Sequence, residues 1–248
     1  MTNQRQATDE LEELYAELKA FIDSKKPQII ASPHFAHVNH EGKRIRVEVS
    51  DGAFLSILTS SVEVYPSSYI GNGEDLPGEG EVWGRLFGFV TEDQEDITYI
   101  VTGASVMQNY EYRTHNSCCP SEGHDFKVTS ITNAIPGLIC LGSFHSHPYR
   151  YSDFTTDFCS HWSQTDYEST LATAEHYVVP PLELIFALSH LNSAKKYRPK
   201  TMPSYLVNYC RNFKFVLRAF VLNMLEESLD DVDMLRCTLA GKIVNRSD

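Results

Sequence analysis

Phe144 to Ser169 reads FHSHPYRYSDFTTDFCSHWSQTDYES. It follows an apolar run, Leu138 to Phe144, that has the character of a buried strand. His145 and His147 stand two apart at the end of that run. Side chains at i and i+2 of a strand leave the same face, so both imidazoles can converge on one ion. Pro148 is expected to end the strand and turn the chain. After a spacer of fourteen residues comes Ser163-x-x-Asp166, at the start of a helical pattern running to His176. Asp166 would then project from the first helical turn. Two imidazoles, one carboxylate and a water make a four-coordinate, open site of the kind catalytic zinc uses. Each part also has an ordinary reading. His-x-His recurs by chance, and Ser-x-x-Asp before a helix is a capping box. Cys159 and His161, inside the spacer, are alternative ligands in place of Asp166.

The chain has 248 residues, with 42% hydrophobic and 22% charged, the balance of a globular protein with a buried core. A formal charge of −12 disfavours nucleic acid and anionic membrane and favours a basic or neutral protein partner. No apolar run reaches the roughly 18 to 20 residues that span a bilayer. The polar N-terminal stretch has no signal-peptide core, so a cytoplasmic location with reduced thiols is expected. The six cysteines include no CxxC pair, which removes support for a four-cysteine zinc site.

Working outward, Leu11, Leu14, Tyr15, Leu18, Phe21 and Ile22 predict an amphipathic N-terminal helix closed by Pro27. A turn at His40-Glu41-Gly42-Lys43 followed by Arg44 to Val49 reads as a hairpin. Gly52 to Val64 has helical spacing. Pro66 to Gly80, with four glycines and two prolines, is a loop. Leu86 to Val90 and Thr98 to Val106 are strands joined by an acidic turn. Tyr110 to Gly123 is expected to be a loop, Phe126 to Ile135 a short helix and Leu182 to Leu188 a strand. Asn212 to Leu225 is a strand or helix, and Val232 to Val244 a last strand. This irregular alternation indicates a mixed α/β, or α+β, layered domain. His34, His37 and His40 do not share a strand face, and the Cys118-Cys119 step reads as incidental.

The blocks together resemble the JAMM, or MPN+, zinc metalloprotease family. That family carries His-x-His-Pro, then Ser-x-x-Asp, with a glutamate upstream in Glu-x-x-Gly-x-Leu-x-Gly. Here Glu81-Val82-Trp83-Gly84-Arg85-Leu86-Phe87-Gly88 matches every fixed position of the upstream block. The similarity covers roughly Val47 to Leu188. The departure is the spacer, since family members usually have seven residues between proline and serine. A seven-residue register would put Thr156 and Cys159 at the serine and aspartate positions. It is rejected because only Ser163 to Asp166 leads into a helix. Residues 149–162 are therefore read as carrying a loop insertion, which costs little closure entropy.

The resemblance implies an MPN/cytidine-deaminase-like fold, a curved sheet flanked by helices. The N-terminal helix would occupy residues 1–27 and the metalloprotease domain residues 28–248. It implies that His145, His147 and Asp166 hold Zn2+, with water as the fourth ligand. Glu81 would be general base and then general acid, and Ser163 would donate to the oxyanion. The implied substrate is a peptide or isopeptide bond at the C-terminus of a ubiquitin-like protein or its conjugates. Activating and conjugating enzymes of the same system are implied partners, and bacterial members include antiviral ones. The two loops, 66–80 and 149–162, are candidate substrate contacts. A non-catalytic MPN-type scaffold is the competing reading. Such scaffolds lack one or more of the five site residues, and this chain keeps all five. A zinc peptidase acting on cell-wall or sulfur-carrier peptides is a third.

Overall fold

Strand Leu182–His190 has almost no exposed residue, so both of its faces must be covered. That requirement organises the molecule, which is seen here in a computed structural model. The structure describes residues 42–242, apart from residues 72, 77, 109, 115–116, 121–129, 131–133, 175–176, 178, 193–199 and 225. The expected N-terminal helix and the histidines at 34, 37 and 40 lie outside the described residues. So does most of the expected helix at 126–135.

The strands are β1 (Arg44–Val49), β2 (Trp83–Glu92), β3 (Asp96–Val106), β4 (Tyr110–Arg113), β5 (Cys118–Pro120), β6 (Ile139–Tyr149), β7 (Leu182–His190), β8 (Lys200–Thr201), β9 (Tyr205–Cys210), β10 (Phe213–Asn223), β11 (Ser228–Asp231) and β12 (Met234–Cys237). The helices are α1 (Asp51–Glu63), α2 (Thr156–Cys159), α3 (Gln164–Thr173) and α4 (Thr238–Lys242). Ten strands form one mixed sheet, ordered β12-β1-β3-β2-β6-β7-β10-β9-β8, with β11 on β10. The β1–β12, β1–β3 and β6–β7 pairs are parallel and the others antiparallel. The sheet curls until its ends meet: Leu235 N–H, on β12, donates to Pro203 O beside β9 at 2.7 Å. This is a mixed α+β domain with a strongly curled sheet and few helices.

Each face has its own cover. On one, α1 packs Phe54 against Phe186 and Phe215, with ring centroids 6.2 and 5.6 Å apart. Its start is capped by Ser50, whose hydroxyl accepts from Ala53 N–H. Leu182, Leu184, Phe186 and Leu188 of β7 point into this core. The alternate residues, Ile185 and Ala187, face the other side, where Tyr167 of α3 and Cys159 of α2 cover them. Because β6 runs parallel to β7 with His145 opposite Ile185 and His147 opposite Ala187, both histidines belong to that second face.

Four expectations change. Arg46 to Val49 is flanked by parallel neighbours on both edges, so β1 is not the arm of a hairpin. Tyr110 to Pro120 forms a short antiparallel pair rather than a plain loop. Among the described residues of the expected strand 232–244, only Met234–Cys237 is strand before the chain winds into α4. Pro148 does not end β6. Ser146 N–H donates towards β2, to Val82 O at 2.8 Å. The nitrogen of Pro148, two residues on, faces that same edge beyond the start of β2, where the ladder needs no donor.

Candidate metal centre

The site begins with a clamp between two distant segments. Ser146, fully buried between the two histidines, accepts from Val82 N–H on its Oγ at 2.9 Å. Together with its own N–H bond to Val82, this fixes residue 82 beside His-x-His. Glu81 is thereby set next to the imidazoles. A third tie, Glu81 N–H to Thr114 O at 2.8 Å, anchors it just beyond the end of β4. The glycines of the upstream block make the approach of the strands achievable. A Cβ on Gly84 would sit 2.3 Å from Ser105 O and 2.4 Å from the Phe144 ring, and one on Gly88 1.8 Å from Ile100 O.

Asp166 arrives from the opposite wall. Ser163 caps α3: its Oγ accepts from Asp166 N–H at 3.2 Å, and the Asp166 carboxylate accepts from Ser163 N–H at 2.6 Å. The capping box and the proposed ligand are therefore the same residue, with one oxygen held by the box. Its other oxygen, Oδ1, lies 3.4 Å from His145 Nε2. One donor atom each from His145, His147 and Asp166 falls within 4.8 Å of the others. Two nitrogen or oxygen ligands at about 2.0 to 2.1 Å from a tetrahedral ion stand about 3.3 Å apart, so this group suits a metal ion.

The outer partners strengthen that fit. Glu183, 2% exposed, accepts from His145 Nδ1–H at 2.7 Å and from Ser143 Oγ–H at 2.6 Å. His147 Nδ1 stands 2.9 Å from the Cys159 carbonyl, which can only accept. Both Nδ1 atoms thus carry their protons, and both Nε2 lone pairs point at each other across 2.8 Å. Such a contact needs positive charge between the nitrogens, a proton or a metal ion. Carboxylate and carbonyl partners on ligating histidines orient the rings and raise their basicity.

The residues between Pro148 and Ser163 are not a bare loop. They wind into α2, and it is this segment that supplies the carbonyl for His147. Cys159 turns its sulfur away, accepting from Thr155 N–H at 3.3 Å, and His161 lies at the surface beside the Trp162 carbonyl. Neither joins the metal group among the described residues.

Charge in the site is uneven. Burial pushes the Glu81 carboxyl up to about 7; the charge of His145 opposes this and that of Asp166 adds to it. Burial opposes charge on His145, yet Asp166 and then Glu183 outweigh it and raise its pKa. Burial, followed by the neighbouring His145, lowers that of His147. These groups line a cleft of about 750 Å³ that also exposes Ser163, Cys118 and Tyr149. Motif reading did not find Ser146 or Glu183. Glu183 did leave a trace: a single carboxylate inside the apolar run LELIFALSH has to be paired.

Comparison with protein-family models and with curated proteins yields no match to this chain.

Proposed function

We propose that the chain is a zinc-dependent peptidase of the JAMM type, with an MPN-like fold, that hydrolyses an amide or isopeptide bond. The observation that carries this reading is the convergence of three donors, His145, His147 and Asp166, with a buried carboxyl at Glu81 beside them. The donor set of two imidazoles and one carboxylate is that of open zinc sites. An ion bound there would supply Lewis acidity, polarising a carbonyl and lowering the pKa of water towards about 7.

The chain's own residues do the rest. Glu81, with its pKa lifted to about 7, is suited to take a proton from the attacking water. It would then return that proton to the nitrogen of the departing amine. Ser163 Oγ accepts from Asp166 N–H, which uses a lone pair and leaves its own O–H to donate to the developing oxyanion. Loss of one such donor typically costs on the order of 10² to 10³ in rate. His145 and His147 keep their Nε2 atoms turned to the cleft because Glu183 and the Cys159 carbonyl hold the other nitrogens.

The substrate class, the C-terminus of a ubiquitin-like protein, follows from the resemblance of the two sequence blocks. The test incubates the purified protein with fusions of candidate ubiquitin-like proteins while its zinc content is measured. Wild type should bind zinc and cleave, and Glu81→Gln should bind zinc without cleaving. Equal cleavage by both would remove Glu81 from the chemistry. A protein that takes up no zinc would return the chain to the scaffold reading.

A further inference from the structure

Trp83 has no part in that mechanism, although it stands beside the metal group. It fills a variable position of the upstream block, two residues after Glu81. On β2 it pairs directly with His145 of β6, so the two side chains leave the same face of the sheet. Side chains paired in this way have Cβ atoms about 4.5 to 5.5 Å apart. The indole is half-buried and lines the cleft.

A side chain of this size normally finds its partners in a core. Trp162, the other tryptophan, packs against the cluster around Tyr167. Trp83 joins none of the buried hydrophobic clusters formed by the described residues. The guanidinium of Arg85 lies 4.5 Å from the centre of its ring and covers one face. Its backbone, by contrast, is firmly held. Trp83 N–H donates to Tyr110 Oη, and Tyr110 O–H and Met107 N–H both donate to Trp83 O, all at 3.0 Å. An aromatic side chain on a backbone fixed in this way offers apolar area to a ligand at little cost in ordering.

The same contacts select the ligand. A cation laid on the opposite face would meet the Arg85 guanidinium across the ring, whereas an apolar side chain meets no such cost and takes indole surface out of water. The nearest carboxylates do not compensate for that repulsion. Glu183 is engaged by His145 and Ser143, and Asp166 belongs to the metal group. We propose that Trp83 is a specificity-determining residue that takes an apolar side chain of the substrate, on the residue adjoining the bond to be cut. The position of that bond rests on the hydrolase reading above, whereas the contact with the indole does not require hydrolysis.

The test measures the affinity of the purified protein for three neutral-ended probes by calorimetry: acetyl-Gly-Leu-Gly amide, acetyl-Gly-Ala-Gly amide and acetyl-Gly-Lys-Gly amide. The leucine probe should bind roughly fivefold more tightly than the alanine probe, from the extra apolar area it covers, and more tightly than the lysine probe. Trp83→Ala should abolish the preference for leucine, and Trp83→Phe, which keeps a smaller ring on the same backbone, should retain part of it. Trp162→Phe leaves Trp83 as the one tryptophan of the chain, and the leucine probe should shift its emission to shorter wavelength. The proposal fails if wild type shows no preference for leucine, if the lysine probe binds tightest, if Trp83→Phe keeps the preference in full, or if the emission does not move. Absence of cleavage in every fusion assay would sink the hydrolase reading while leaving this binding result standing.

Discussion

Glu81 and Glu183 are two buried carboxyls with opposite tasks. Glu183 is held by two donors, His145 Nδ1–H and Ser143 Oγ–H, and acts on the site through the imidazole it orients. Replacing it with glutamine keeps the shape and removes the charge. Zinc affinity of Glu183→Gln, read by competition with a chromogenic chelator, should fall about 10- to 100-fold. An unchanged affinity would show that the ring needs no such partner. Glu81 is desolvated, and its folded pKa of about 7 lies above the ordinary 4.5. A carboxyl shifted upward holds its proton longer in the folded state. The stability it contributes is complete below the unfolded value and is lost as pH rises through the folded one. Chelator-treated Glu81→Gln should therefore match wild type at about pH 4 and exceed it at about pH 8.5. The gain at the higher pH should be on the order of 3 kcal/mol, from 1.36 kcal/mol per pKa unit. Denaturant titrations at both values decide this, and a difference independent of pH would contradict it.

At the scale of elements, the glycines of the upstream block belong to strand packing rather than to chemistry. Gly84 lies where β2 approaches both Ser105 O and the Phe144 ring, so a methyl group has to displace backbone or a buried aromatic. Gly84→Ala should destabilise the fold by about 1 to 3 kcal/mol. Gly103, on neighbouring β3, has nothing within 4 Å of an added Cβ, and Gly103→Ala should be nearly neutral. Thermal unfolding of the two variants separates close approach from any general intolerance of the sheet; equal losses would refute the packing account. α3 shows the converse economy. A single Ser-x-x-Asp caps the helix and aims a carboxylate at the histidines, so local capping and site geometry are satisfied by the same two side chains. The spacer before it is a structural part of the site, because α2 brings the Cys159 carbonyl to His147.

For the whole molecule, the site draws on β6, α3, the approach to β2 and, through Glu183, β7. A metal ion bound there ties these segments together only in the folded state. Zinc at a hundred times its dissociation constant should stabilise the protein by about 2.7 kcal/mol, seen as a rise in melting temperature on adding zinc to chelated protein. His147→Ala should lose that rise, and an undiminished rise would place the ion elsewhere. The short-range features were legible in the sequence. Helix α1, the capping box, the strands on either side of the acidic turn and the shared face of His145 and His147 all follow from neighbours within a few residues. The pairing of the two blocks was legible as a resemblance only. What the sequence by itself determined, then, was the local conformation of α1, of the capped start of α3 and of the strands beside the acidic turn, with a set of candidate ligands that still included Cys159 and His161. Tertiary structure alone decided that β1 lies between two parallel strands, that Pro148 stays within β6, that Ser146 clamps Val82, and that Glu183 and the Cys159 carbonyl hold the imidazoles. Those contacts join positions 12 to 188 residues apart and leave no periodic mark in the chain, because strand pairing is set by which faces can be buried together.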